Sequence, residues 1–394
     1  MKRQIPLLAV LIFSIIFFLI NEYVLSGFHT LSTNPLITPL FWAIVLLSAG
    51  TLIYSIRNMQ RLGMGMLFKI TTHAFLILLV SELIFSLFLA LGDTYRLISG
   101  NPRNLYWVSF ALCMFLLTIL VFVYGMVRGK YAYRVIKHTL FFDDLPKSFD
   151  GFTIVQISDV HAGSFNNSKA LQKGIDLIKA QQADLFVFTG DLVNNKAEEI
   201  EPWIGHFSQV KAPFGQFSIL GNHDYGDYVQ WKDEHSKKEN LEQLKRNHAA
   251  LGYRLLLDEH VEIQKDGEKI ILAGVENWGV GFGERGDLKK AMRNVCAEDF
   301  KVLLSHDPTH WEAQVKTDPV NVQLTLAGHT HGMQFGLEIF GIKWSPVKYR
   351  YAHWAGLKTE NGRYLNINRG FGFLGFSGRV GIWPEITLIE LKRK

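Results

Sequence analysis

Asp159 and His161 stand one residue apart in SDVH, Asp191 closes TGD, and Asn222, His223 and Asp224 run together in GNHD. Further along, His306 ends KVLLSH, and His329 and His331 flank a threonine in GHTHG. Carboxylates, imidazoles and a carboxamide without thiolates form a hard-to-borderline ligand set, suited to Mn2+, Fe or Zn2+. If one carboxylate is shared, two divalent ions can be held. A pair about 3.5–4 Å apart activates water and clamps the attacking and leaving oxygens of a phosphoryl group. Asp-x-His and His-x-His on extended backbone aim both side chains to one side. Gly190, Gly221, Gly328 and Gly332 permit tight turns around such a crowded centre. The competing reading gives these histidines ordinary structural roles, and five concordant motifs argue against it. His310 and His353 fall outside the motifs and are read as ordinary; His73 and His138 are read as interface or loop residues.

The elements that must position these residues are short apolar runs. Residues 152–157, 184–190, 214–221, 261–264, 270–273, 301–304 and 322–326 read as strands. Helices are expected over 166–182, with Asn167 or Ser168 as cap, and over 196–210, 238–251 and 287–295. Alternation of strands and helices predicts an α/β fold, with an antiparallel portion where 261–264 and 270–273 lie close together. Each motif then falls at a strand's carboxyl end, the edge where open α/β sheets bind ligands.

The first third of the chain is a different object. Charged residues are only 20% of the whole, Phe alone occupies 29 positions, and mean hydropathy is +0.11. That balance disfavours disorder and coiled coil, and two cysteines exclude a disulfide-stapled scaffold. The net charge of +5 divides unevenly: residues 1–140 hold eleven Lys/Arg against three Asp/Glu, a surplus of eight, while residues 141–394 carry a deficit of three. A basic total of this origin gives no support to nucleic-acid binding. Four apolar stretches, about 5–25, 36–56, 72–92 and 105–127, approach the roughly 20 residues that cross a bilayer. A cleaved signal peptide is the rival for the first, but Asn21, Glu22 and Tyr23 follow it and more spans come after. Lys2, Arg3, Arg57, Arg61, Lys69, Arg128, Lys130, Arg134 and Lys137 fall on one side, and only Arg96 and Arg103 on the other. This asymmetry places the N-terminus and the globular part in the cytoplasm, at the inner or cytoplasmic membrane. Glu82, in the third span, reads as facing the bundle interior or as a coupling residue. The expected organisation is a transmembrane region over 1–130, a juxtamembrane linker over 131–149 and a hydrolytic domain over 150–394.

Asp159-x-His161, Gly190-Asp191, Gly221-Asn222-His223-Asp224, Ser305-His306 and Gly328-His329-Thr330-His331 together resemble the ordered motifs of the calcineurin-like metallophosphoesterases, over roughly residues 150–394. The resemblance implies a four-layered α/β/β/α sandwich with two mixed sheets. It also implies that Asp159, His161 and His331 hold one metal, that Asn222, His306 and His329 hold the other, and that Asp191 bridges. By the same resemblance His223 faces the substrate as the catalytic acid, Asp224 orients it, and water attacks phosphorus in line without a phosphoenzyme. The family branch often has a second glycine where this chain has Met333.

The resemblance is nearest to a bacterial membrane-associated branch of phosphodiesterases and pyrophosphatases, some acting on nucleotide-linked lipid precursors. A phosphorylated or nucleotide-linked lipid is therefore the expected substrate and the bilayer the expected partner. Arg379 is expected to bind substrate phosphate alongside Asn222 and His223. Phe371, Phe373, Leu374 and Phe376 on a glycine-rich loop are expected either to pack under the sheets or to form a lip touching membrane or acyl chain. The alternatives are an anchored hydrolase of soluble nucleotides or phosphomonoesters, a transporter or receptor with a regulatory hydrolase domain, and a non-catalytic scaffold.

Overall fold

A computed structural model describes residues 7–58, 66–339 and 341–394. Ile5 and Pro6 of the first expected span, and the charges Lys2, Arg3 and Arg61, lie outside the described residues. The chain forms two compact units, Met1–Met126 and Val127–Lys394.

Four helices make the first unit: α1 (Leu7–Leu31), α2 (Ile37–Arg57), α3 (Met66–Ser99) and α4 (Leu105–Val127). Each contains a segment long and apolar enough to span a bilayer, so this is a multi-pass membrane protein. Leu, Ile and Phe side chains face outward, as a lipid solvent requires, while a narrow strip of Val24, Phe85, Leu89, Val108 and Ala111 is buried. A Cβ at Gly27 would overlap the Phe85 ring, so the glycine sets how closely α1 and α3 approach. At 34 residues α3 is far longer than the expected span, and at about 1.5 Å per residue it exceeds the hydrocarbon thickness. Its extension carries Asp93, which pairs with Arg103 at 2.5 Å and accepts a 2.8 Å bond from Tyr23 Oη. Arg103, read as a loop charge, is thus tied into the bundle. Glu82 is buried, as the interior-facing reading expects.

The second unit is built on two six-stranded mixed sheets. The first contains β1 (Arg134–Phe142), β2 (Thr153–Ile157), β3 (Leu185–Thr189), β4 (Gln216–Ile219), β5 (Arg254–Leu255) and β16 (Glu385–Arg393), in the order β1-β16-β2-β3-β4-β5. The second contains β6 (Glu259–Lys265), β7 (Glu268–Gly274), β10 (Lys301–Leu304), β11 (Leu324–Ala327), β14 (Gly356–Glu360) and β15 (Arg363–Ile367), in the order β14-β15-β11-β10-β7-β6. Two hairpins, β8 (Trp278–Gly279) with β9 (Gly283–Glu284) and β12 (Leu337–Ile339) with β13 (Ile342–Trp344), stand apart. The expected antiparallel portion is the β6–β7 pair.

Strand alternation builds the layers. Leu185 and Val187 of β3 face a core shared with Val302, Leu304, Leu324 and Leu326 of the other sheet. Phe186 and Phe188 face the opposite way, onto Leu171, Ile175 and Ile178 of α5 (Ser168–Lys179) and Leu244 and Leu251 of α6 (Glu234–Leu251). On the far side, Leu303 and Ala327 pack with Leu288 and with Trp311 of α7 (Pro308–Ala313). The order helix, sheet, sheet, helix is the expected sandwich. Asn167 caps α5 by accepting from the Ala170 N–H at 2.9 Å. The helix expected over 196–210 is mostly 3-10, Ala197–Trp203, with Pro202 interrupting regular α hydrogen bonding before a single α turn at Ile204–Phe207. Residues 131–149, read as a linker, contain β1, paired in parallel with β16 along its whole length.

The aromatic loop differs from the lip considered for it. Phe371 and Phe373 are wholly buried, and Phe371 stacks on Tyr133 at 4.4 Å between centroids. Gly372 lies so close to the Val160 carbonyl that no Cβ fits, which lets the loop press beneath the site. Leu374 and Phe376 are half-buried. Phe371→Ala is expected to destabilise the catalytic unit by about 3–5 kcal/mol through cavity formation, read as a lowered unfolding midpoint of the detergent-solubilised full chain. An unchanged midpoint would contradict this packing role.

Candidate metal centre

The carboxyl ends of β2, β3, β4, β10 and β11 meet at one edge of the sandwich, and the segments leaving them carry all the motif residues. Gln156, on β2 between the sheets, aligns that edge. Its Nε2 donates to Thr189 Oγ1 at 3.0 Å and to the Ala327 carbonyl at 2.9 Å, and its Oε1 accepts from Asn366 Nδ2 at 2.9 Å. Asp159 adds a second tie across the seam by accepting the His329 backbone N–H. The turns beyond the strands are strained: Asp159, His161, Asp191, His329 and His331 all have positive φ, between 46° and 72°. Such conformations cost about 1–3 kcal/mol each outside glycine and cluster where side chains must be aimed. Gly221 leaves no room for a Cβ against the Asp191 carboxylate.

Two clusters result. Asp159, His161 and His331 offer ligand atoms within 4.8 Å of one another, and Asp191, His306 and His329 form a second such group. His161 Nε2 faces His331 Nε2 at 2.9 Å, and His331 Nε2 lies 3.3 Å from Asp159 Oδ1. In the other cluster His329 Nδ1 lies 3.3 Å from His306 Nε2 and 2.9 Å from Asn222 Oδ1. Asp191 Oδ2 stands between the clusters, 3.5 Å from His161 Nε2 and 3.3 Å from His306 Nε2. Asp159 and Asp191 are buried, and neither forms a salt bridge with Lys or Arg among the described residues. Buried carboxylates converging on bare ring nitrogens need positive charge, so the donor set fits a binuclear divalent-metal centre.

Hydrogen bonds on the far side of each ring fix which nitrogen is presented. His306 Nδ1 donates to the Thr189 carbonyl at 2.7 Å, freeing Nε2. His329 is reversed: its Nε2 is hydrogen-bonded with Tyr351 Oη at 2.9 Å and has the Asp307 carboxylate 3.3 Å away as an electrostatic neighbour, leaving Nδ1 toward the cluster. Burial opposes charge on His306, but adjacent Asp191 outweighs it and pushes the pKa up to about 10. Burial pulls His161 down to about 3 and His329 down to about 4. Burial also raises Asp159 to about 6, against the pull of His306.

His223 and Asn222 line a cavity of about 430 Å³ that opens on the centre. His223 Nδ1 faces the Asn194 carbonyl at 2.8 Å, and its backbone N–H donates to Asp191 Oδ1 at 2.9 Å. Asp224 does not orient this histidine, contrary to expectation. Its oxygens accept the backbone N–H groups of Asp191, Leu192, Val193 and Gly221 at 2.8–3.2 Å, so it organises the loops. Arg379 is also corrected. It is fully buried and donates to the Gly370 and Gly372 carbonyls, because the glycine-rich loop folds over its guanidinium and shuts it out of the cavity. Leu374 does reach the cavity, with Met333, whose φ is 49°. His310, set aside as ordinary, is buried with Nδ1 2.8 Å from Ser305 Oγ, and His353 lies beside the Gly356 carbonyl.

Sequence reasoning missed Asp307, Tyr228, Phe282 and Arg350. Tyr228 accepts from Asn222 Nδ2 at 2.7 Å and holds its ring 4.4 Å from that of His223. Arg350 lies over the Phe282 ring at 4.5 Å and, among the described residues, is the one Lys or Arg lining the cavity. Only Asp307 carried a signal, as the residue directly after His306.

Residues 152–333 match the family model described as calcineurin-like phosphoesterase. Residues 4–130 match one described as probable calcineurin-like phosphoesterase, transmembrane domain. The chain is 30% identical over 274 residues to the uncharacterized metallophosphoesterase YkuE of Bacillus subtilis, covering 68% of this chain and 90% of that protein. It is 27% identical over 287 residues to a transmembrane protein with metallophosphoesterase domain of Danio rerio, covering 71% of this chain and 62% of that one. It is 41% identical over 279 residues to the UDP-2,3-diacylglucosamine pyrophosphatase LpxG of Chlamydia trachomatis, covering 58% and 81% respectively.

Two outcomes follow from the geometry. Asp307→Asn is expected to weaken Mn2+ binding about 10–100-fold by removing the carboxylate charge that favours a proton on His329 Nε2, measured by calorimetric titration; wild-type affinity would refute it. Because His306 holds a proton until its pKa of about 10, metal must displace it. Apparent affinity then rises about tenfold per pH unit between about pH 7 and about pH 9. It falls more steeply below about pH 6, where Asp159 also protonates. A flat profile in the same titrations would contradict this.

Proposed function

The chain belongs to the calcineurin-like metallophosphoesterases, and from that premise we propose that it hydrolyses a phosphodiester or pyrophosphate of a lipid-linked substrate at the cytoplasmic membrane face. Two observations support a metal-dependent hydrolase joined to a membrane anchor: the paired ligand clusters and the four spans. The finer reading rests on the cavity. Beside the metal cluster it is walled by Phe282, Met333, Pro346, Val347 and Leu374, with Arg350 the one Lys or Arg on it among the described residues. An apolar wall next to one guanidinium suits a substrate carrying both hydrocarbon and phosphate. The printed name of the chlamydial relative describes a pyrophosphatase of a diacylated nucleotide sugar, in keeping with this class. The cytoplasmic placement rests on the nine-to-two excess of basic residues on one side of the spans.

In this reading Asp159, His161 and His331 would hold one cation, Asn222, His306 and His329 would hold the other, and Asp191 would serve both. Divalent cations, when bound, supply Lewis acidity for water activation and for the charge on phosphoryl oxygens. The remaining work belongs to the chain. His223 donates Nδ1–H to the Asn194 carbonyl, so Nε2 is the nitrogen that delivers a proton to the leaving oxygen. The Tyr228 ring beside it limits imidazole rotation. Asn222 keeps its carboxamide oriented by donating to Tyr228 Oη, leaving Oδ1 toward the cation.

Full-length protein incubated with Mn2+ and a membrane lipid extract, followed by mass spectrometry, tests the reading. One lipid species should disappear with the wild type and persist with His223→Ala, whose kcat falls about 10²–10⁴-fold. Turnover confined to soluble nucleotides or phosphomonoesters would defeat the lipid assignment.

A further inference from the structure

The catalytic unit keeps its hydrophobic surface in one place. From Arg134 onward, ten large hydrophobic residues are exposed among those described, and six of them lie between Met333 and Tyr349. Four belong to the β12–β13 hairpin. Its register pairs Leu337 with Trp344 and Ile339 with Ile342, so these side chains share one face. The opposite face is anchored: Glu338 accepts from Arg369 at 2.7 Å. Ile342 is 63% exposed and Tyr349 79% exposed, so the described residues leave most of both side chains uncovered.

Soluble monomers rarely present so contiguous an apolar patch unless something binds there. A two-stranded ribbon is marginal in water even without bare isoleucines on it. Its place in the chain is equally informative. Met333 and the Pro346–Tyr351 segment both line the metal-site cavity, and the hairpin is the excursion between them. Exposed Lys348 and Arg350 adjoin it, and Trp344 and Tyr349 are aromatic types favoured at a membrane–water boundary. The catalytic unit begins directly after the span α4, with only residues 128–133 before β1, so bilayer is held at high local concentration.

We propose that the apolar face of the β12–β13 hairpin inserts into the headgroup–acyl boundary of the bilayer and brings the mouth of the metal-site cavity to headgroup depth. Taken with the lipid-substrate reading, on which its functional meaning rests, the hairpin is an interfacial anchor. A phosphate esterified to lipid would enter the cavity without its chains crossing water. The partner is an anionic lipid surface, with a second copy of the chain as the competing occupant.

The test uses the full chain in vesicles of phosphatidylethanolamine and phosphatidylglycerol. An environment-sensitive fluorophore is attached at Ile342→Cys in a Cys113→Ser, Cys296→Ser background, and for comparison at native Cys296, which is exposed on the catalytic unit. The label at position 342 should be quenched several-fold more by lipids brominated in the acyl chain than the label at Cys296, and less by aqueous iodide. Equal iodide quenching at the two sites without bromolipid quenching would overturn the proposal. Protection from both quenchers, with disulfide-linked dimers forming through the introduced thiol, would overturn it in favour of a second copy. In parallel, Ile339→Asp/Ile342→Asp should slow hydrolysis of lipid-linked substrate at least tenfold and leave bis(p-nitrophenyl) phosphate hydrolysis unchanged. Bromolipid quenching in a protein that turns over no lipid would sustain the anchor and defeat the substrate reading, so the two fail separately.

Discussion

Burying negative charge is the constraint on which the site depends. Asp159, Asp191 and Asp224 are all buried beyond the strand ends. A lone carboxylate cannot remain ionised there without compensation. Asp224 is compensated by four backbone N–H groups, and in satisfying it the chain fixes the paths of the loops after β3 and β4. Asp159 receives the His329 N–H, which binds the loop of one sheet to that of the other. Asp191, like Asp159, receives a single backbone N–H, that of His223, and imidazoles surround it. The strained turns are the local cost of aiming these groups together, offset by the three apolar layers beneath.

That division explains what could be read from sequence. Metal-binding chemistry was legible because it demands particular atoms, and Asp-x-His, GNHD and GHTHG state those atoms outright. The β3 and β10 strands were legible because each is an unbroken apolar run between polar turns. Asp224 was misread because its partners are backbone amides, which leave no trace in residue types. Arg379 was misread, and Phe371 left open between packing and a lip, for a related reason: a glycine-rich segment reads alike whether it waves over a cavity or folds beneath it. The close approach of Gly372 to the Val160 carbonyl decides the matter, and that contact joins residues far apart in sequence. Residues 131–149 lacked a signal because β1 is half-exposed and its pairing partner β16 lies some 250 residues downstream.

The membrane unit follows different rules. With hydrocarbon as solvent, apolar burial gives its helices little reason to associate, so small residues and polar ties matter more. Gly27 against Phe85, and Asp93 linking Arg103 to Tyr23, are such devices. Arg103 illustrates how charge counting and structure complement one another. As a count it belongs to the sparsely basic side; as a side chain it holds α3 to the segment that leads into α4.

The position of β16 bears on how the protein comes into being. Residues 385–393 lie between β1 and β2, hydrogen-bonded to both, and Glu385 also grips Arg369 and donates its N–H to the Gly370 carbonyl beneath His331. Until that segment leaves the ribosome, the first sheet lacks its second strand, β1 has no strand to pair with, and the loop under one metal cluster has no floor. The four spans emerge long before. Each newly made molecule is therefore lodged in its membrane while its hydrolytic half is still open, and it can begin to cut phosphoesters only after residues 385–393 have been made and paired. Chains cut short before residue 385 reach the correct address but have no assembled site.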